Sequence, residues 1–210
     1  MTVETWITFV VASTVLLTIP GPTVLLVLSY ALSKGRSVAL SSAAGVALGD
    51  LVAMTASLAG LGALVLASSA AFTALKWVGA AYLVYLGLRL LLSAREHGLE
   101  LPDAGRSVTP RAVFGHAAAV TALNPKSIAF FIAFVPQFLD ADAPLLPQTA
   151  LLIVTFVTLA ALNALAYALL ASSMRRVISR PAVLAWMSRA GGATLIGMGI
   201  MTATLRRATH

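Results

Sequence analysis

The sequence predicts an all-α membrane protein: six transmembrane helices in two inverted three-helix repeats, the first and fourth helices broken at prolines. Three observations predict it: an extreme apolar composition, prolines in the middle of two apolar stretches, and a match between the two halves of the chain. Of 210 residues, 60% are hydrophobic and 10% charged, and the mean hydropathy is +0.95. A soluble domain carries roughly 25% charged residues, so this chain has the lipid bilayer as its surrounding partner. A spanning helix takes roughly 20 apolar residues. Six stretches qualify, at about 7–32, 40–66, 73–92, 113–138, 146–171 and 184–205. They leave almost nothing for a soluble domain, and residues 1–210 read as a single membrane domain.

The first stretch carries no charge from Thr5 to Ser33 and holds "PGP" at 20–22. Its leading residues hold Glu4 and no Lys or Arg, unlike a signal peptide, so it reads as a retained span. Pro20 and Pro22 have no N–H to donate and clash with carbonyls one turn earlier, freeing acceptors near Leu16 and Thr18. Residues before proline leave the helical region, which makes Ile19 and Gly21 extended or strained. Gly21 also permits close backbone approach. A half-helix therefore starts near Thr23 and aims its N–H groups and positive dipole end at the middle of the bilayer. The alternative is a plain proline kink, common in membrane helices.

The second span holds Asp50, and its Gly45 and Gly49 form GxxxG, a close-packing face either inside the bundle or between the protomers of a homodimer. Lys76 and Trp77 stand near the start of the third span. The polar linker that follows, "SAREHGLELPDAGRSVTPR" at 93–111, has the mixed charge and turn residues of a flexible connector. It separates a first repeat, 1–92, from a second, 113–210. In the fourth span "LNPKS" at 123–127 repeats the helix break: Asn124 caps, Pro125 suits the first helical turn, and Lys126 adds a full positive charge. His116, near the cytoplasmic end of this span, reads as an interface residue, with proton relay as the alternative. Asn163 lies in the fifth span; Thr121, Thr155 and Thr158 are expected to bond back to their own helices. Trp77 and Trp186 read as interface anchors.

The net charge is +7, but its placement argues for membrane topology and against nucleic acid. Lys34, Arg36, Arg89, Arg95, Arg106, Arg111, Arg175, Arg176, Arg180 and Arg189 fall in or beside the first, third and fifth loops, which puts those loops and the 93–112 linker in the cytoplasm. Only Lys76, Arg206 and Arg207 oppose them, and Asp140 and Asp142 follow the fourth span. Both termini are accordingly expected on the periplasmic side.

The halves align. "FVVASTVLLTIPGP" from Phe9 over "FGHAAAVTALNPKS" from Phe114 pairs Phe9 with Phe114, Ala12 with Ala117, Val15 with Val120 and Pro20 with Pro125. "VGAAYLVYLG" from Val78 over "AGGATLIGMG" from Ala190 pairs Gly79 with Gly191, Ala81 with Ala193, Leu83 with Leu195 and Gly87 with Gly199. Three spans per half is an odd number, so the second half enters the bilayer upside down. Transporters built this way bind substrate near the midplane, where broken helices of the two halves meet.

Two formal charges fall deep within the spans, Asp50 and Lys126. A charge there costs roughly 3 kcal/mol, so such residues face the interior, pair, and mark a pathway. Either they are a structural ion pair joining the halves, or Lys126 with the half-helix ends receives a carboxylate while Asp50 receives an ammonium or a proton. Asn163 supplies a neutral hydrogen bond at similar depth, or a plain interhelical contact. The candidate substrate site is thus Pro20, Gly21, Pro22, Thr23, Asp50, Asn124, Pro125, Lys126 and Asn163, with Asp50 as the proton-coupling residue. The chain has no cysteine, no paired intramembrane carboxylates and no Walker A or Rossmann glycine pattern. These features give no footing for an enzyme, a metal site or a cofactor.

The stretches "PGPTVLLVLSYALSKGRSVALSSAAGVALGD" (20–50), "LKWVGAAYLVYLGLRLL" (75–91), "NPKSIAFFIAFVPQF" (124–138) and "RAGGATLIGMGI" (189–200) resemble the lysine exporter superfamily, and within it the homoserine/threonine resistance branch of amino-acid exporters. The resemblance covers most of the chain and implies a small permease of the bacterial inner membrane that exports amino acids with the proton gradient. Where the family motif continues with Asn after "PGP", this chain has Thr23. Superfamily cargoes range from lysine and arginine to threonine, homoserine and leucine. A basic amino acid would favour two intramembrane acids and only Asp50 is present, so the expected cargo is neutral and zwitterionic, such as threonine or homoserine. The alternatives are an exporter of basic amino acids and a structural or regulatory membrane protein without transport.

Overall fold

A computed structural model describes residues 1–19, 21–34, 38–67, 69–92, 109–140, 142–178 and 181–204. Pro20, residues 93–108 of the linker, Arg36, Arg180, Arg206 and Arg207 lie outside the described residues. Every regular element among the described residues is helical. Helix α1 (Val3–Thr18) starts at a capping Thr2, whose hydroxyl accepts the Thr5 N–H at 3.2 Å. It stops because Ile19 is extended (φ −69°, ψ 122°), as a residue before proline prefers. Helix α2 (Pro22–Lys34) resumes at a bend of 56°. The device recurs in α5 (Pro110–Ala122) and α6 (Pro125–Ala133), which with the 3-10 turn Val135–Phe138 bends by 45°. Both breaks fall where the prolines place them.

The other helices, α3 (Ala39–Ala67), α4 (Ser69–Leu92), α7 (Leu145–Ile178) and α8 (Pro181–Thr204), are continuous. Among the described residues α3, α4 and α7 are long and apolar enough to cross a membrane, and each bent pair counts as one more span, giving three to five. Helix α7 runs on to Ile178, past the apolar stretch expected to end at 171, because Arg175 and Arg176 are good helix formers and the apolar part, Leu145–Ala171, is already a full span.

Apolar side chains both fill the core and cover the outside, and a set of polar ones is kept inside. Val11, Leu51, Val52, Val78, Val154, Leu162 and Ile200 are exposed, whereas Ser13, Ser42, Asp50, Thr121, Asn124, Lys126 and Ser127 are buried. This suits a lipid solvent, which rewards no polar group. Helix α3 packs on α5 and α7, and α4 packs along α8. The α3/α5 contact is made by the GxxxG pair: a Cβ on Gly45 would meet the Phe114 carbonyl, and one on Gly49 would stand 2.6 Å from both Ala118 O and Thr121 Cβ. That face is internal, so it offers no surface to a second protomer. Gly87 and Gly192 bring α4 and α8 together in the same way. Because both neighbours of Gly49 belong to a close helix contact, Gly49→Ala is expected to destabilise by about 1–3 kcal/mol. Thermal melting of the purified protein in detergent measures it, and an unchanged melting temperature would show that the α3/α5 contact yields.

Candidate functional site

The two breaks lie side by side. Thr23, in the first turn of α2, receives the Asn124 side-chain N–H at 3.1 Å and shares a hydrogen bond of 3.2 Å with the Thr121 hydroxyl. Asn124 also caps α6: its Oδ1 accepts the Lys126 N–H at 3.1 Å, and Pro125 occupies the first helical position, as its fixed φ suits. One residue thus caps one half-helix and ties it to the other. Thr121 was expected to bond back to its own helix. It reaches Thr23 instead, because Gly49 lets α3 come close over α5 while α2 stands on the other side. Thr155 likewise accepts the Trp6 indole N–H at 3.1 Å.

Beside the breaks is a cavity lined by Leu16, Thr23, Asp50, Lys126, Asn163 and Tyr167, among others. Thr23, Asp50, Asn124, Lys126 and Asn163 all line it. Gly21 borders the Lys126 side chain and Pro22 and Pro125 begin the half-helices, while Pro20 is outside the described residues. The cavity measures about 20 Å³, room for a water but far less than an amino acid.

The Lys126 ammonium does not rest on Asp50. It donates to two main-chain carbonyls at the end of α1, Leu16 O at 3.0 Å and Ile19 O at 2.9 Å. No ion pair joins it to Asp50; the Met1 amino group, elsewhere, stands 4.0 Å from the Asp140 carboxylate. Asp50, 2% exposed, has an Oδ1 with no hydrogen-bond partner. A direct structural ion pair between the halves is therefore not what these two residues form. The remaining carbonyls of the break are covered by α7: Asn163 Nδ2 donates to Leu17 O at 3.0 Å, and the Tyr167 hydroxyl to Thr18 O at 3.1 Å. Pro20 and Pro22 stand four residues after Leu16 and Thr18, where a helix would have supplied N–H donors. Three side chains of the second half supply them instead. Tyr167 was not singled out in the sequence. The signal for Tyr167 is its spacing of four from Asn163, which puts both on one face of α7.

Towards the end of α6 that leads to Asp140, the cavity is followed by an aromatic cluster. Phe130 stacks on Phe134 with ring centres 5.2 Å apart, Phe131 meets Phe156 edge-on at 4.9 Å, and Phe9 meets Phe138 at 5.3 Å. Towards the opposite end, the buried Tyr30 shares a 2.8 Å hydrogen bond with the exposed His116. His116 is thus a tie between α2 and α5 as well as a residue at the bundle's edge.

Residues 14–205 match the family described as LysE type translocator. The chain is similar to the homoserine/homoserine lactone efflux protein of Salmonella typhimurium strain LT2, 31% identical over 99% of this chain and 100% of that protein. It is similar to the leucine efflux protein of Salmonella choleraesuis, 32% identical over 65% of this chain and 64% of that protein. A membrane protein of Vibrio cholerae is 33% identical over 98% of this chain and all of its own length. No solved structure matches. The matched family spans both helix breaks and every residue of the cavity between them, and the chain belongs to the LysE type translocators.

Proposed function

We propose that the protein is a secondary exporter of small neutral amino acids in the bacterial inner membrane, driven by the proton gradient. The observation that carries this is the cavity where two broken helices meet around a buried Lys126 and a buried Asp50 whose Oδ1 has no hydrogen-bond partner, in a chain of a translocator family. Interrupted helices with free backbone ends near the midplane are how secondary transporters hold small charged solutes. The bundle is read as six spans in two inverted repeats, 1–92 and 113–210, joined by a cytoplasmic linker at 93–112, with both termini periplasmic. The contact of the amino terminus with Asp140 puts the start of the chain and the turn after α6 at one end of the bundle, which fits a shared side for those two segments.

The similar proteins' cargoes share one chemical handle. Homoserine, its lactone and leucine all carry an α-ammonium, and the lactone has no carboxylate. An ammonium site is therefore what a common binding mode requires. In this reading Thr23, Asn124, Lys126 and Asn163 form the substrate pocket and Asp50 exchanges the coupling proton. An amino acid exceeds the cavity, so the halves part to admit it and close around it, with the aromatic cluster and the Tyr30/His116 end opening in turn.

The test is counterflow in liposomes. Protein loaded with L-homoserine, L-threonine or L-leucine should exchange at least one of them, and a proton gradient should drive net efflux; L-lysine should exchange poorly. No exchange of any neutral amino acid would overturn the reading, and faster exchange of lysine would move the cargo to the basic class. For topology, a single cysteine from Ser107→Cys is expected to resist impermeant thiol reagents in intact cells and to react in inverted vesicles. Reaction in intact cells would turn the bundle over.

A further inference from the structure

We infer that the carboxyl end of α1 is a seat for a primary ammonium group, filled by Lys126 in this closed form and taken by the transported solute's own ammonium when Lys126 turns to Asp50. The second half of this statement rests on the transport reading above; the seat itself does not.

The seat is made of main chain. Of the carbonyls that end α1, Leu17 O and Thr18 O are covered by Asn163 and Tyr167, which α7 holds in place. Ile19 O, and Leu16 O beside its long 3.3 Å bond from the Ile19 N–H, accept the Lys126 ammonium at 2.9 and 3.0 Å. Two converging carbonyls at the negative end of a helix dipole suit a cation with N–H groups to donate. The wall opposite is Gly21: a Cβ there would lie 3.3 Å from Nζ and 3.4 Å from Cε of Lys126. Bare backbone is what leaves room for the CH₂ that carries the ammonium.

A second observation makes this a ligand site and not only a helix cap. Asp50 lines the same cavity, is almost wholly buried, and its Oδ1 has no partner. Lys126 thus has a second home within its own cavity, and a buried carboxylate without a partner is costly. An arriving ammonium that takes the carbonyls sends Lys126 to Asp50, so one ammonium replaces another on the seat and Asp50 gains its counter-ion. Among the ammonium groups, the α1 carbonyls and Asp50, the exchange leaves each with a partner, whereas the closed arrangement leaves Asp50 Oδ1 without one. The seat needs N–H donors, which excludes quaternary ammonium, and it makes no demand on a carboxylate.

The experiment removes the resident ammonium and offers it back. Lys126→Ala deletes three carbons and the nitrogen, the atoms of n-propylammonium. Purified Lys126→Ala in detergent should melt higher by several degrees in millimolar n-propylammonium, and not in tetramethylammonium or sodium at equal concentration. In Lys126→Met, where the thioether stem blocks the space, the rise should be absent. No rise in Lys126→Ala overturns the seat, and an equal rise with sodium makes it an alkali-cation site and overturns the ammonium assignment. A second measurement needs no variant: on the unmutated protein, n-propylammonium should raise amidination of Lys126 by ethyl acetimidate several-fold relative to the other lysines of the same chain, a ratio that cancels the reagent n-propylamine itself consumes, read by mass spectrometry, and tetramethylammonium should not. An unchanged or lower ratio means that Lys126 does not leave, and overturns the exchange. Neither measurement uses transport, so a protein that passes both and moves no amino acid refutes the exporter reading alone.

Discussion

Asp50→Asn is expected to abolish gradient-driven export while leaving a folded, inserted protein. The substitution keeps the side chain's shape, and the closed form loses little because Asp50 Oδ1 has no hydrogen-bond partner to give up. What is lost is the charge. Asparagine cannot carry a proton across the cycle, and it cannot serve as counter-ion when Lys126 leaves the carbonyls. Losing about 3 kcal/mol of buried charge pairing, the low end for such pairs, corresponds to a drop of about 100-fold. Proton-driven efflux and counterflow in liposomes carrying Asp50→Asn are the measurements. If both persist at the unmutated level, Asp50 is neither coupling residue nor counter-ion, and its burial is only structural.

Lys126→Ala is expected to cost about 3–5 kcal/mol, a large share of the roughly 5–15 kcal/mol that holds a folded protein. In the sequence this cost would be assigned to an Asp50 left alone. The structure moves it to α1. Removing the ammonium takes the side-chain donor from both carbonyls: Leu16 O keeps only the long 3.3 Å bond from the Ile19 N–H, since Pro20 has no N–H to offer it, and Ile19 O loses the donor that holds it. Lys126→Met refills the volume and restores no donor, so it should recover the cavity part of the loss only. Thermal melting of both variants in detergent separates the two contributions. A Lys126→Ala protein that melts with the unmutated one would mean that the break is stable without the second half.

The helix breaks were legible because proline and glycine act on their own backbone, and their signal is local. Asn124 as a cap and Pro125 as a first helical residue followed from the same local chemistry, and the burial of Asp50 and Lys126 followed from the cost of charge in a bilayer. What Lys126 touches was not legible. Its partners are carbonyls, which every residue has, so no side-chain pattern marks Leu16 and Ile19 as a site. The Thr23/Thr121 contact escaped for a different reason: it depends on how closely two glycines of α3 let α5 approach, and that distance is set by packing. The linker and Pro20 carry expectations that fall outside the described residues. The sixth stretch gave the expected helix, and its Gly192 and Gly199 face α4; it carries Arg189 and, among the described residues, is not one of the helices long and apolar enough to cross a membrane.

The ends of α1 and its covering side chains are far apart in the chain. Lys126 lies 110 residues after Leu16, and Tyr167 lies 149 after Thr18. A ribosome adding roughly 5–20 residues per second makes Lys126 on the order of ten seconds after Leu16. During that interval the broken end of the first span has the Ile19 N–H on Leu16 O, but the donors that cover Leu17, Thr18 and Ile19 are still unmade, and hydrocarbon supplies none. The nascent first half must therefore wait beside water or another protein of the insertion site, and its release into lipid becomes a late event that only completion of the second half permits.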